Sequence, residues 1–583
     1  MRAGGFPFGP RRLGPVSAPF DPPRPWTSSY PDGTPEDLGP IAGSLVDIVT
    51  ESARDYPDAV ALEFFGRETT YRELVSQIDR AAAGLAALGV RAGDRVALVL
   101  PNCPQHIAAF YAVLRLGAVV VEHNPLYTPG ELRKQFADHG AAHAIVWNKV
   151  VGTVQDFAAE LGVAVIVSVD VPRGMPRGTR LALRLPVAKA RAAREALTSP
   201  VSGTTRWERV VGSAPLPASH PRPATTDLAV LQYTSGTTGT PKGAMLTHGN
   251  LLANARQSAS FLPTARRGDG CVFYAVLPMF HAYGLTLCLT FAMAVAARLV
   301  LFPRFDADMT IDAIRKRPPT VLPLVPPIAE RLLVRAAERG ASLAGIDIAV
   351  SGAMALSPDV VDRFEAATGG HLVEGYGLSE CSPVLMVNPP TERRRAGTVG
   401  LPLPGTEARV ADPDDPAADA RVGERGELLV RGPQVFSGYV GRPEETDAVF
   451  ADGWFRTGDI VTIDADGFVS VVDRIKELII TGGFNVAPTE VEEALRRHPQ
   501  VADAAVVGLP HAASGEEVVA AVVPADGVAA LDVDDIRAFL RGLLTPYKVP
   551  RRIVAVDRLP VSLIGKVQRR QVRERLLASD PAG

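Results

Sequence analysis

From Thr70 onward, apolar runs of strand length alternate with longer stretches of helical period. Thr70 and Glu73 form a capping box that starts a helix over YRELVSQIDRAAAGLAAL, DRVALVLP is a buried-strand run, and PQHIAAFYAVLRLGA returns to helix. Thr128, Pro129 and Glu131 start another helix, followed by the strands AHAIVWN and VAVIVSV. Such alternation predicts a doubly wound, mainly parallel sheet, and it resumes from Leu228 through Val350 to Gly377. The expected body is therefore two α/β subdomains with a cleft between them.

From about Gly397 the pattern shortens to GELLVRG, WFRTGDIVTI and GFVSVVD, with Asp464 to Gly467 as a hairpin connector. This predicts a small β-barrel subdomain over about 397–472. Beyond Asp473 a compact α/β module is expected. In it, Thr489 and Glu492 cap a helix with Val491, Ala494 and Leu495 on one face, and the strands ADAAVVGL and VVAAVVP follow. Ile536, Phe539, Leu540 and Leu543 mark its second helix.

Two segments test this parse. Cys271 to Ala297 carries no formal charge with His281 neutral and is long enough to span a bilayer, but Pro278, His281 and Gly284 interrupt it. It reads instead as a strand CVFYAVLP, a loop MFHAYG, and a core helix LTLCLTFAMAVAA leading into the strand RLVLF. Residues 172–196 hold seven basic residues against Glu195, among Leu181, Leu183 and Leu185; Pro176 and Pro186 limit any helix. Both a peripheral contact with an anionic membrane face and a solvated linker fit that composition.

With 583 residues, 46% of them apolar, the chain has material for several domains, and its formal net charge of -3 implies no polyanion partner, so nucleic acid is not expected. Cys103, Cys271, Cys288 and Cys381 show no pairing pattern, which fits a reducing, cytoplasmic setting, including the inner membrane face. Residues 1–25 are rich in proline and lack a continuous apolar run, and are expected to form a disordered leader rather than a signal peptide.

The densest chemistry lies in YTSGTTGTPKGAMLTHGN, Tyr233 to Asn250. Thr234, Ser235, Thr237, Thr238 and Thr240 offer hydroxyls, while Gly236, Gly239 and Gly243 let backbone amides close around an anion and Lys242 adds fixed positive charge. This is a polyphosphate grip. It is not a Walker A loop, because Pro241 precedes Lys242 and Gly243 follows it.

That segment resembles the phosphate-binding signature of the adenylate-forming superfamily of acyl-CoA synthetases, adenylation domains and beetle luciferases. GYGLSE at 375–380, GWFRTGDI at 453–460, DRIKELIITGGFNVAPTEVE at 473–492 and LPVSLIGKVQRR at 559–570 follow in the family's order. Over about 25–578 the chain looks most like a bacterial-type long-chain fatty-acid CoA ligase. The resemblance implies an N-terminal domain over 26–475 and a mobile C-terminal domain over 476–583, with a hinge at Lys476.

The resemblance also implies roles. Lys242 and the hydroxyl loop would hold the β- and γ-phosphates of ATP, Glu380 would ligate Mg2+, and Ser379 would donate to the α-phosphate. Tyr376, beside Gly377, offers a flat face to adenine, and Gly352 and Ala353 lie along the adenine and acyl sites. Asp459 would accept both ribose hydroxyls, Arg474 would add a nucleotide contact, and Lys566 would act at the carboxylate and α-phosphate. His281 would orient the carboxylate, and Gly482, Gly483 and Phe484 would line the path of CoA.

Apolar residues around His281, and the absence of an evident carboxylate for an α-ammonium, favour a fatty acid. Medium-chain and aryl acids stay open, since Leu285 stands where some long-chain relatives place a tryptophan gate. A carrier-protein acceptor, a luciferase-like oxidoreductase, a silent adenylate-binding protein and a homodimer also stay open.

Overall fold

The side chains that begin helices do so by satisfying first-turn amides that have no partner inside the helix. Thr70 Oγ1 accepts from the Glu73 amide at 3.2 Å, the Glu73 carboxylate accepts from the Thr70 amide at 2.9 Å, and the helix runs Tyr71–Ala87. Thr128 and Glu131 repeat the exchange at the start of Pro129–His139. The structure, a computed structural model, describes residues 24–234, 241–262, 268–413, 415–481, 484–511, 515–562 and 565–579.

Two large, mainly parallel sheets form the body. One has the strand order Thr205–Arg206, Val165–Val169, His143–Trp147, Arg95–Val99, Val119–His123, Leu228–Thr234 and Lys242–Thr247, with only its last pair antiparallel. The other runs Leu401–Pro402, Val384–Val387, His371–Gly377, Ile348–Ser351, Val321–Leu324, Val272–Ala275, Arg298–Leu301, Val60–Phe64 and Arg67–Thr70. It is parallel in the middle and antiparallel at both ends.

The two sheets exchange hairpins. Val60–Phe64 lies beside Arg298–Leu301 in the second sheet, while Leu228–Thr234 lies beside Val119–His123 in the first. Taking Leu228 as the opening of the second subdomain therefore starts one hairpin too early. Apolar periodicity registers that a strand is buried, and pairing across more than a hundred residues decides which sheet receives it.

The strands Glu407–Ala411, Gly426–Arg431, Phe450–Ala451, Trp454–Ile463 and Val469–Arg474 form a separate antiparallel sheet. Its Asp464 to Gly467 connector closes with the Asp464 amide donating to the Phe468 carbonyl, and Gly467 adopts φ +87°. The last sheet joins Phe484–Val486, Ile479–Thr481, Gly515–Pro524, Val501–His511 and Arg552–Ala555. Val491, Leu495, Ile536 and Leu540 pack beneath it from two helices.

Two expectations in this module are corrected. The helix Pro488–Arg496 begins after Ala487, and Thr489 and Glu492 form no capping box. Instead Arg569 donates to Thr489 Oγ1 at 2.9 Å and to both Glu492 oxygens at 2.7 and 2.8 Å, while the Thr489 amide donates to Asp473. With Ala487 at the N-cap, Thr489 lies inside the first turn, and the Glu492 carboxylate is taken up by Arg569 and by the Val506 amide, which donates to Oε1 at 2.8 Å. The second helix, Val533–Arg541, stops before Leu543, which is exposed.

The uncharged run forms the strand Val272–Ala275 and a helical stretch over 282–294 whose middle, Leu285–Phe291, is π-helical. Its residues pack on His248–Phe261, and among the described residues no helix is long and apolar enough to cross a membrane. The basic segment contains two short helices, Arg177–Ala182 and Ala188–Leu197, neither with a buried residue.

Candidate active site

A cleft of about 1490 Å³ is walled by both large sheets, the small antiparallel sheet and the C-terminal module. Thr234 and Lys242 face it from the rims of an antiparallel pair in which they are direct partners, so they fix both ends of the intervening loop. Ser235, Gly236, Thr237, Thr238, Gly239 and Thr240 lie outside the described residues. Lys242 Nζ pairs with Glu445 at 2.8 Å and lies 5.1 Å from the centre of the Tyr439 ring.

Tyr439 links this cation to an anion. Its hydroxyl donates to Glu380 Oε1 at 2.8 Å. Burial raises the Glu380 pKa above the ordinary carboxyl range, and the Tyr439 hydrogen bond pulls the other way. Glu380 and Ser379 reach the cleft from the short 3-10 turn Ser379–Cys381 that follows His371–Gly377.

Next to this turn, Tyr376 donates to Asp459 Oδ2 at 2.5 Å, and Arg474 Nε sits 2.9 Å from Asp459 Oδ1. Asp459 is only 2% exposed, and it faces Arg474 directly across two antiparallel strands. The aspartate and arginine singled out separately in the sequence are thus partners. An ionised carboxylate has about four acceptor positions, so two incoming hydroxyls can still be received. Gly377 is required by close approach, since a Cβ there would fall 1.9 Å from the Pro383 carbonyl oxygen.

Across the cleft stand Gly352, Ala353 and His281. A Cβ on Gly352 would fall 3.1 Å from Tyr283 Cζ, and the Tyr283 hydroxyl is tied to the Val350 carbonyl at 2.7 Å. Ala353 takes a left-handed φ of +68°. His281 Nδ1 accepts from the Tyr283 amide at 3.3 Å, so the neutral ring carries its proton on Nε2. Burial pushes its pKa down to about 4. Asn102, which the sequence did not single out, fixes this loop by donating to the Ala275 and Leu277 carbonyls and accepting from the Met279 amide.

Lys566 enters from the C-terminal module. Gly565, at φ +79°, lets the loop turn sharply, and a Cβ there would fall 3.1 Å from Pro327 and 3.4 Å from Met354 of the body. Ser562 closes the turn from both sides, its amide donating to the Lys566 carbonyl and its Oγ accepting from the Lys566 amide. Burial first, then the Arg474 charge, lower the Lys566 pKa to about 8.

Lys476 sits in the 3-10 turn Ile475–Glu477 between the last strand of the small sheet and the C-terminal module, and its side chain lies outside the described residues. Gly482 and Gly483 also lie outside them, as does the side chain of Phe484, which opens the strand Phe484–Val486. Tyr439 and Glu445 are site residues that sequence reading missed. Pro443 followed by two acids marks a helix start, and nothing in that signal points to Lys242.

The assembled groups can hold a nucleotide and place an ammonium beside its reacting end. Residues 49–440 match the family model "AMP-binding enzyme", and residues 490–566 match "AMP-binding enzyme C-terminal domain". The chain is 37% identical over 553 residues to a long-chain-fatty-acid–CoA ligase of Bacillus subtilis (strain 168), covering 94% of this chain and 98% of that one. It is 36% identical to the enzyme of the same name from Salmonella typhimurium, with the same coverage. Among solved structures, ATP-bound MatB from Rhodopseudomonas palustris superposes with a TM-score of 0.79 at 31% identity, covering 91% of this chain and 98% of that one. With its body and its C-terminal segment both matched, the chain belongs to the AMP-binding enzyme family.

Proposed function

We propose that the chain is a fatty-acid CoA ligase that consumes ATP and forms AMP. A fatty acid carboxylate oxygen attacks the α-phosphorus of ATP, the bond to the bridging oxygen breaks, and pyrophosphate leaves with its electron pair. The sulfur of CoA then attacks the acyl carbon, the thiol proton is lost, and AMP departs. One observation carries this reading: Lys242, Glu380, the Asp459 group and Lys566 share a single cleft whose wall also includes Phe280, Leu287, Val384 and Val387. The relatives named as long-chain-fatty-acid–CoA ligases support the choice of acid.

Bringing two anions together is the difficulty. Unit charges about 4 Å apart repel by roughly 4 kcal/mol at an effective dielectric of 20. In this reading Lys566 offsets charge at the carboxylate and α-phosphate, and Lys242 with the hydroxyl loop holds the departing pyrophosphate. Tyr376 packs against adenine, Asp459 and Arg474 receive the ribose, and His281 donates from Nε2 to the carboxylate. Ser379 donates to the α-phosphate.

Mg2+ fits at Glu380, a nearly buried carboxylate on the cleft wall; this ion is commonly held by one or two carboxylates plus substrate phosphates. When bound it would supply positive charge to the phosphate oxygens. Gly482, Gly483 and Phe484 are proposed for the CoA path, and Lys476 for the hinge. A peripheral contact with an anionic membrane face is proposed for residues 172–196, on the strength of exposed Arg184, Lys189, Arg191 and Arg194 beside exposed Leu181 and Leu185.

The deciding experiment supplies ATP, Mg2+ and acids of graded chain length, with CoA or an acyl carrier protein as acceptor. Acid-dependent exchange of pyrophosphate into ATP, followed by acyl-CoA with long-chain acids, is expected. No exchange with any acid would refute the adenylation step, and a preference for aryl or medium-chain acids would refute the choice of substrate.

A further inference from the structure

Tyr233 and Lys242 stand on either side of the loop 234–241, and a continuous polar circuit joins them away from the backbone. The Tyr233 hydroxyl donates to Asp138 Oδ2 at 2.5 Å, and Arg442 reaches Asp138 Oδ1 at 3.1 Å. Arg442 also reaches Glu445 Oε1 at 3.3 Å, and Glu445 Oε2 pairs with Lys242 Nζ at 2.8 Å. The two ends of this circuit differ in exposure. Tyr233 itself is buried and its partner Asp138 has a side chain 27% exposed, whereas the side chain of Glu445 is 38% exposed and that of Lys242 18%.

Lys242 therefore rests on an anion of the same sign as the polyphosphate it is proposed to hold. Sharing the ammonium would bring carboxylate and phosphate oxygens into repulsive range, so arrival of polyphosphate favours withdrawal of Glu445. Glu445 can yield without being stranded, since its other oxygen keeps Arg442 and the side chain reaches water. Its resting charge is favoured too, as the hydrogen bond from Lys242 holds its carboxyl below the usual glutamate range.

We propose that Glu445 is a displaceable counterion for Lys242, competing with the β- and γ-phosphates of ATP and with pyrophosphate. It is a positioning residue that acts through Lys242. The inference rests on the phosphate-binding role proposed for Lys242 and adds to it a device that limits affinity for polyphosphate. By re-pairing with Lys242, Glu445 favours pyrophosphate release after adenylation. AMP has no β- or γ-phosphate, so its binding is indifferent to the exchange.

Calorimetric titration of the full chain with ATP, pyrophosphate and AMP tests this in three variants. Glu445→Gln should tighten ATP and pyrophosphate about two- to fivefold, the range for an exposed ion pair, and leave AMP unchanged. Lys242→Ala should weaken ATP and pyrophosphate, and in that background Glu445→Gln should change neither. Equal or weaker ATP binding by Glu445→Gln, or an equal change for AMP, overturns the counterion role. If Glu445→Gln is neutral while Lys242→Ala weakens ATP, only the counterion falls. If Lys242→Ala changes no affinity, the phosphate role of Lys242 falls, and the counterion with it.

Discussion

At the scale of the residue, the cleft sets protonation states by burial. The Lys566 pKa of about 8 leaves the ammonium form dominant at neutral pH and loses it as pH rises through that value. A neutral amine cannot offset developing negative charge. In the free enzyme, kcat/KM for acyl-adenylate formation should therefore fall with an apparent pKa of about 8, with no inflection from His281, which stays neutral above about 4. A pH series of pyrophosphate release tests this, and a rate that climbs steadily beyond pH 9 would contradict it. Lys566→Ala should slow the same step by roughly a hundred- to a thousandfold, the typical loss when one transition-state donor is removed.

Much of this scale was legible in the sequence. The residues named from GYGLSE, TGD, DR and LIGK all reach the cleft because each motif keeps its own turn chemistry, such as the positive φ of Gly565. Side-chain partnerships were not legible. Whether Asp459 meets Arg474, or Lys242 meets Glu445, depends on registers and contacts between distant segments that no spacing encodes.

At the scale of the element, the turn Ile475–Glu477 is where the proposed rotation of the C-terminal module would be absorbed, and Glu477 is bonded to Arg569 at the start of the helix Arg569–Ala578. Proline fixes φ near −65° and removes an amide. Lys476→Pro should leave pyrophosphate exchange within a few fold of the parent yet abolish acyl-CoA formation. Normal thioester turnover by this variant would remove the hinge proposal. The two basic helices make a different prediction: cosedimentation with anionic vesicles that weakens as salt rises, and is lost when Arg184, Lys189, Arg191 and Arg194 are changed to Glu. Retained binding by that variant would place the contact elsewhere. Helix starts were readable where threonine and glutamate stood alone, at Thr70 and Thr128. The expectation failed at Thr489, where Arg569 arrives from eighty residues away.

At the scale of the whole molecule, the doubly wound class followed from alternation, but the order of strands did not, because the two sheets trade hairpins. A chain ending near residue 220 would strip the first sheet of its Leu228–Thr234 neighbour, baring Val119–His123, all five residues of which are buried. The remainder would lack Val60–Phe64 beside Arg298–Leu301. Each piece would thus show an unpaired apolar border of the kind that recruits other chains. Expressed separately, residues 24–220 and 221–583 should precipitate; produced together, they should recover as one soluble pair. The reciprocal loan of strands makes each half the template on which the other's sheet is finished.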